Sequence, residues 1–173
     1  VVVRPWARVG AMVDRERAQV YAAELAAFDG TDLEEVIGVD RAVALIRSVT
    51  VRRWWPVGAV QARAARADAR SSATRCGLED GSVASIAIAA PQATVATAAH
   101  ELAHALAGVA HGHDARYRRA HLDVVQAITN VDRTSGRGMI HVAQLASAYA
   151  DAGLDVGDRV WPAPPDVGGA IAL

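Results

Sequence analysis

"HELAHALAGVAHGH", residues 100–113, holds four of the six histidines in a chain of 173 residues. His100, Glu101 and His104 form an H-E-x-x-H pattern. On a helix, residues i and i+4 lie one turn apart on the same face, so two imidazoles can grip one metal ion. A glutamate beside the first ligand is placed to take a proton from a water that the metal activates. Composition alone predicts about 0.007 such motifs in a chain of this length, so chance is a poor account of it. Leu102 and Leu106 point away from the His100/His104 face, with Val95 and Val109 near them. A helix needed on both sides is a buried helix, and the bland alternative is a core or surface helix that happens to carry histidines.

A catalytic zinc site takes three protein ligands and keeps one position open. A metzincin would need Gly at the third place after His104 and His at the sixth, where this chain has Ala107 and Ala110. A gluzincin would need a downstream Glu, and none follows Glu101. The candidates left are His111, His113, Asp114 and His121. Gly108 and Gly112 let the chain turn sharply after the first helix, which favours His113 pointing back at the metal. His111 lies before that turn. His121 falls on the apolar stripe Tyr117, His121, Val124, Ile128 and reads as a packed core residue, and Asp114 reads most simply as a helix cap.

Outward from this stretch, the periodicity predicts an α+β chain. Residues 14–28 form an amphipathic helix with Val20, Leu25 and Phe28 near one stripe, Tyr21 and Glu24 close by, Asp14 as cap and Gly30 after its end. A second helix starts at Asp40, its cap, behind a hinge at Gly38, with Val43, Leu45, Ile46 and Val49 on one side. After "RRWWPVG" the period changes to two: Val60, Ala62 and Ala64 alternate with Gln61 and Arg63. A weaker strand lies within 67–76, a turn at Asp80–Gly81, and a third strand at 82–89 with Ile86 and Ile88 on one face. The expected sheet is therefore small and mostly antiparallel. Pro91 opens the active-site helix, which runs from about Gln92 to Val109. Another helix follows from Ala115 to about Thr129 with Asp114 as cap, and a last one covers 140–152. Residues 1–155 read as one domain and 156–173 as a Pro/Gly-rich, poorly ordered tail.

Composition bounds the rest. Hydrophobic residues make up 52% and charged residues 21%, so the chain folds, and its alanine content predicts a core of small side chains. The single Cys76 rules out a disulfide framework or a Cys-rich zinc module and fits the cytoplasm. The opening "VVVRPWARVG" is broken by Arg4 and Arg8 and does not read as a signal peptide, and no stretch reads as a membrane span. A net charge of −1 gives no general pull toward nucleic acid. The one basic-aromatic cluster is Arg52, Arg53, Trp54, Trp55. It could stack single-stranded bases, but it reads better as a helix end whose tryptophans close the core.

"HELAHA" followed by "GHDARY" resembles the SprT/Spartan-like zinc metalloproteases, a zincin family, and the chain is still more similar to a group of small actinobacterial metallohydrolases. The specific match covers residues 94–124. The resemblance implies a zincin-like core, places the third zinc ligand on His113 and the family's aromatic on Tyr117, and implies a peptide or protein substrate. It also implies that the strand at 82–89 flanks the cleft, with an edge that an extended peptide can join. Asp114 stands where the family has Gly, and there is no Cys-rich zinc ribbon. The expected function is a zinc-dependent peptidase with His100, His104 and His113 as Zn2+ ligands and Glu101 as general base. Tyr117 packs the site and can add a hydrogen bond to the oxyanion. The rival readings are hydrolysis of a non-peptide amide and a non-catalytic protein with a structural metal.

Overall fold

A computed structural model of the chain describes residues 14–76, 83–131 and 138–165. In chain order these form α1 (Arg17–Phe28), α2 (Val39–Thr50), β1 (Ala59–Ala64), β2 (Ala73–Cys76), β3 (Val83–Ile88), α3 (Val95–Ala107), α4 (Ala115–Val131) and α5 (Gly138–Asp151), with three short 3-10 turns between them. The class is α+β. The expected turn at Asp80–Gly81 lies outside the described residues.

The sheet departs from the expectation of a mostly antiparallel one. Its order is β1-β3-β2, with β3 antiparallel to β2 but parallel to β1. Residues 65–72 carry the chain from β1 across to the far side, so that β3 returns between its two predecessors. Ile86 and Ile88 are buried on β3, and Ala62 of β1 pairs beside Ile86 on the same face. The most apolar strand takes the centre, where burial is greatest. Alternation along a strand reports which face is buried, but carries no information on neighbour order.

The helices cover that inner face. Small side chains let α3 approach closely: Ala96, Ala98, Ala99, Ala103 and Ala107 are all buried, and α3 packs most extensively on α4. Leu102 and Leu106 are fully enclosed, each worth about 1.5–3 kcal/mol of burial. α3 is shorter than its apolar pattern implied. Pro91 sits in a separate 3-10 turn, and Thr94 starts the helix by accepting from the Thr97 N–H. At the other end Gly108 (φ 95°) breaks it, leaving Val109 in a short turn.

Other local expectations are revised by tertiary packing. Leu25 is exposed, while Val20, Ala23, Ala27 and Phe28 form the buried side of α1. Neither Asp14 nor Asp40 caps a helix: the N-cap of α1 is Glu16 and that of α2 is Gly38, both without a side-chain cap bond. Asp114 does cap α4, accepting from the Arg116 and Tyr117 N–H groups.

The first ten residues of the expected tail are docked. Buried Asp123 accepts from Arg159 Nε and Nη2, each at 2.7 Å, and from the Trp161 indole at 2.8 Å. Trp54 donates to the Pro162 carbonyl, and Trp54 and Trp55 pack half-buried against the core. No helix among the described residues is long and apolar enough to cross a membrane.

Candidate metal centre

α3 presents His100 and His104 on one face, and His113 reaches them from the following turn. That turn depends on two glycines. Gly108 has φ 95° and Gly112 φ 55°, ψ −125°, conformations that a side chain would strain. Arg118, almost fully buried, then ties the turn down. It donates to the His113 carbonyl at 2.8 Å and to the Asp155 carbonyl at 2.6 Å, and pairs with Glu16.

The three imidazoles meet through their Nε2 atoms. His100 Nε2 lies 3.3 Å from His104 Nε2 and 3.4 Å from His113 Nε2, and one ligand atom from each residue falls within 4.8 Å of the others. Two nitrogens at tetrahedral angles, each 2.0–2.1 Å from a zinc ion, stand about 3.3–3.4 Å apart. The spacing therefore fits a small cation. It is the only such group among the described residues.

The opposite nitrogens explain why Nε2 faces inward. His100 Nδ1 lies 2.9 and 3.0 Å from the two carboxylate oxygens of Glu24, and His113 Nδ1 lies 2.5 Å from Asp14 Oδ2. A carboxylate on Nδ1 fixes the N–H there and leaves a lone pair on Nε2. Lone pairs converging in a buried place repel one another unless a cation sits among them.

The titration behaviour follows the same logic. Burial first, then the neighbouring histidines, holds His104 down to about 2, and burial also lowers His113. Burial opposes charge on His100 as well, but Glu24 overrides it and raises His100 above its ordinary value. Glu24 itself is held low: burial would raise it, but His100 and His121 outweigh that. A metal ion held at this place would compete with a proton for His100.

Glu101 is buried beside His100, and burial raises its carboxyl above the usual range despite His100 nearby. Its Oε2 accepts from the Thr74 hydroxyl of β2 at 2.7 Å. Glu101 and His100 open on a cleft of about 490 Å³ bordered by Arg17, Tyr21, Thr97 and the Ser71–Ser72 segment that leads into β2. Two other depressions of similar volume, one between α1 and α5 and one on the outer sheet face near Arg63 and Arg75, border none of the three histidines.

The remaining third-ligand candidates are accounted for. His111 pairs with Asp114 at 2.8 Å and stays partly exposed. His121 is fully buried with its Nδ1 2.8 Å from the Tyr149 hydroxyl and 3.3 Å from Glu24, so it supports the Glu24 carboxylate from behind. Tyr117 also lies behind the site: its hydroxyl donates to Glu24 at 3.2 Å and sits 2.8 Å from His100 Nδ1. It faces the wrong nitrogen to reach a substrate oxyanion, and its work is packing and holding Glu24.

Asp14, Tyr21 and Glu24 were not legible as parts of a site. The available signal was an acid, Glu24, on the same stripe of α1 as Phe28, with Tyr21 and Arg17 continuing it at helical spacing. No family model, curated protein or solved structure matches the chain.

Proposed function

We propose that this chain is a zinc-dependent hydrolase of zincin type that acts on peptide bonds. The observation that carries the reading is the convergence of three Nε2 atoms at the tetrahedral edge length, with Glu101 beside them at a cleft. His100, His104 and His113 hold the ion. A zinc ion supplies Lewis acidity that polarises a carbonyl and makes a water easier to deprotonate. Glu101 takes the proton of the attacking water and passes it to the leaving amine.

A structural zinc site is normally closed by four protein ligands. Here the cluster offers three among the described residues, while His111 and His121 are engaged elsewhere. That favours an open coordination position and a catalytic role.

The strand expected to receive a peptide needs correction. β3 is central, with β1 on one side and β2 on the other, so it has no free edge. Among the described residues the sheet ends at β2, whose Thr74 touches Glu101 and whose approach through Ser71 and Ser72 borders the cleft. A strand edge next to the base that no described strand pairs supports an extended peptide over a compact non-peptide amide as substrate.

The test is Glu101→Gln, which keeps the side chain's size. Expected are unchanged metal content and a loss of about 10²–10⁴ in casein cleavage. Cleavage at the parent rate would refute Glu101 as the base and leave the structural-metal reading as the better one.

A further inference from the structure

α1 contributes more than the carboxylate behind His100. Arg17, Tyr21 and Glu24 follow one another at intervals of four and three, which places them on one helix face. All three border the same cleft as His100 and Glu101. Glu24 is the deepest and holds His100. Tyr21 lies farther out: its ring centroid is 5.3 Å from that of His100 and 5.2 Å from that of His113. It is 40% exposed, so it stands between the metal ligands and solvent. Arg17 closes the row. Its Nε donates to the Tyr21 hydroxyl oxygen at 3.2 Å, and its guanidinium carbon lies 5.2 Å from the Tyr21 ring centroid.

This pair has a particular chemistry. Because the phenol oxygen accepts from a cation, the Tyr21 O–H is left free to donate, and the guanidinium polarises it further. A phenol donor backed by a fixed positive charge, at the mouth of a hydrolytic site, suits negative charge that develops on a substrate oxygen. Tyr117, the other tyrosine near the histidines, has its hydroxyl committed on the far side.

We propose that Tyr21, backed by Arg17, is the oxyanion-stabilising group of this site, and that the cleft consequently binds tetrahedral oxyanions. The inference rests on the hydrolase reading above. In the step concerned, the oxygen of water bonds to the carbonyl carbon, its proton goes to Glu101, and the carbonyl π pair moves onto oxygen. That oxygen accepts the Tyr21 hydrogen bond. The ground-state carbonyl carries little charge, so the interaction strengthens on the way to the transition state and acts on kcat.

The test uses the full chain loaded with Co2+, whose visible absorption reports on ligands at the metal, and methylphosphonate as the tetrahedral anionic probe. Wild-type protein is expected to bind the probe with a spectral change. Tyr21→Phe is expected to take up Co2+ equally, show the same free spectrum, and bind methylphosphonate about 10- to 100-fold more weakly, the range for losing a hydrogen bond to a charged group. Arg17→Gln, which leaves the phenol in place, should show a smaller weakening in the same direction. In casein cleavage by the zinc form, Tyr21→Phe should lower kcat by about 10²–10³ with KM little changed. A ring that merely covers the histidines would leave probe affinity and kcat where they were. Equal probe affinity in wild type and Tyr21→Phe overturns the proposal, as does a Co2+-loaded wild type that binds no methylphosphonate. Failure of the wild type to take up Co2+ or zinc would instead defeat the hydrolase reading, and this inference with it.

Discussion

Glu24→Gln isolates the contribution of the carboxylate behind the metal. The replacement keeps the volume and one acceptor oxygen for His100 Nδ1, but removes the charge. In the wild type both Glu24 oxygens lie within 3.0 Å of that nitrogen, and the side chain is only 15% exposed. A hydrogen bond to a charged group contributes roughly 1.5–3 kcal/mol and a neutral one about 0.5–1.5. The difference, about 1–1.5 kcal/mol, corresponds to roughly tenfold weaker zinc binding. Glu24→Ala, which also frees the ring to rotate, should cost more, toward the upper end of the 10- to 100-fold range for such partners. The pH dependence adds a second signature. Glu24 raises the His100 pKa, and zinc must displace that proton. Wild-type affinity therefore falls as pH drops through the elevated His100 value. In Glu24→Gln that fall moves to lower pH, so the two proteins differ most where His100 is deprotonated in both and converge on acidification. Competition against a zinc chelator across a pH series measures both effects. Affinities within twofold of each other at every pH would refute the claim that Glu24 orients and charges this ligand.

His113→Ala should lose the metal while His111→Ala keeps most of it, measured as metal content after dialysis; the opposite outcome would overturn the ligand assignment. Gly112→Ala should destabilise the metal-free fold by about 1–3 kcal/mol, since φ is 55° and an added Cβ would lie 3.1 Å from Asp14 Oδ2; unchanged denaturant midpoint and zinc affinity would argue against the turn as drawn. Asp123→Ala should cost about 2–3 kcal/mol and expose residues 156–165 to protease, because it removes three hydrogen bonds to a buried acceptor; mass spectrometry of limited digests would detect the cleavage. Finally, His104 and His113 have folded pKa values below 6.5, so the unfolded chain binds more protons and stability falls as pH drops below about 6.5. His100 and Glu101, whose folded values are raised, act oppositely, their stabilisation being lost as pH rises through those elevated values. The contribution of His104 is therefore isolated by substitution: between pH 7 and 5 the melting temperature of metal-free His104→Gln should fall less, or rise more, than that of the wild type, and identical pH trends would contradict the burial argument.

What the sequence alone determines here is local. The spacing of His100, Glu101 and His104 needs nothing beyond a helix to bring two imidazoles to one side. The two glycines at 108 and 112 are likewise readable, because only a sharp turn makes use of them, and Asp114 caps α4 because a cap acts over three residues. The alternation around Ile86 and Ile88 marks a buried face for the same reason. The tertiary structure alone decides which distant groups complete these pieces. Asp14 and Glu24 lie 99 and 76 residues from the histidines they hold, and nothing in a short window distinguishes them from ordinary helix-start and helix-face acids. Strand order is of the same kind: the pattern of β3 is satisfied whether it is an edge or a centre, and only the path of residues 65–72 puts it between β1 and β2. The tail is a third case. Its prolines and glycines predict disorder, yet Asp123 on α4 captures Arg159 and Trp161, since a buried carboxylate requires partners from wherever the chain can supply them. Periodicity records which side of an element is apolar. It is silent on which polar group, far along the chain, will meet a buried charge.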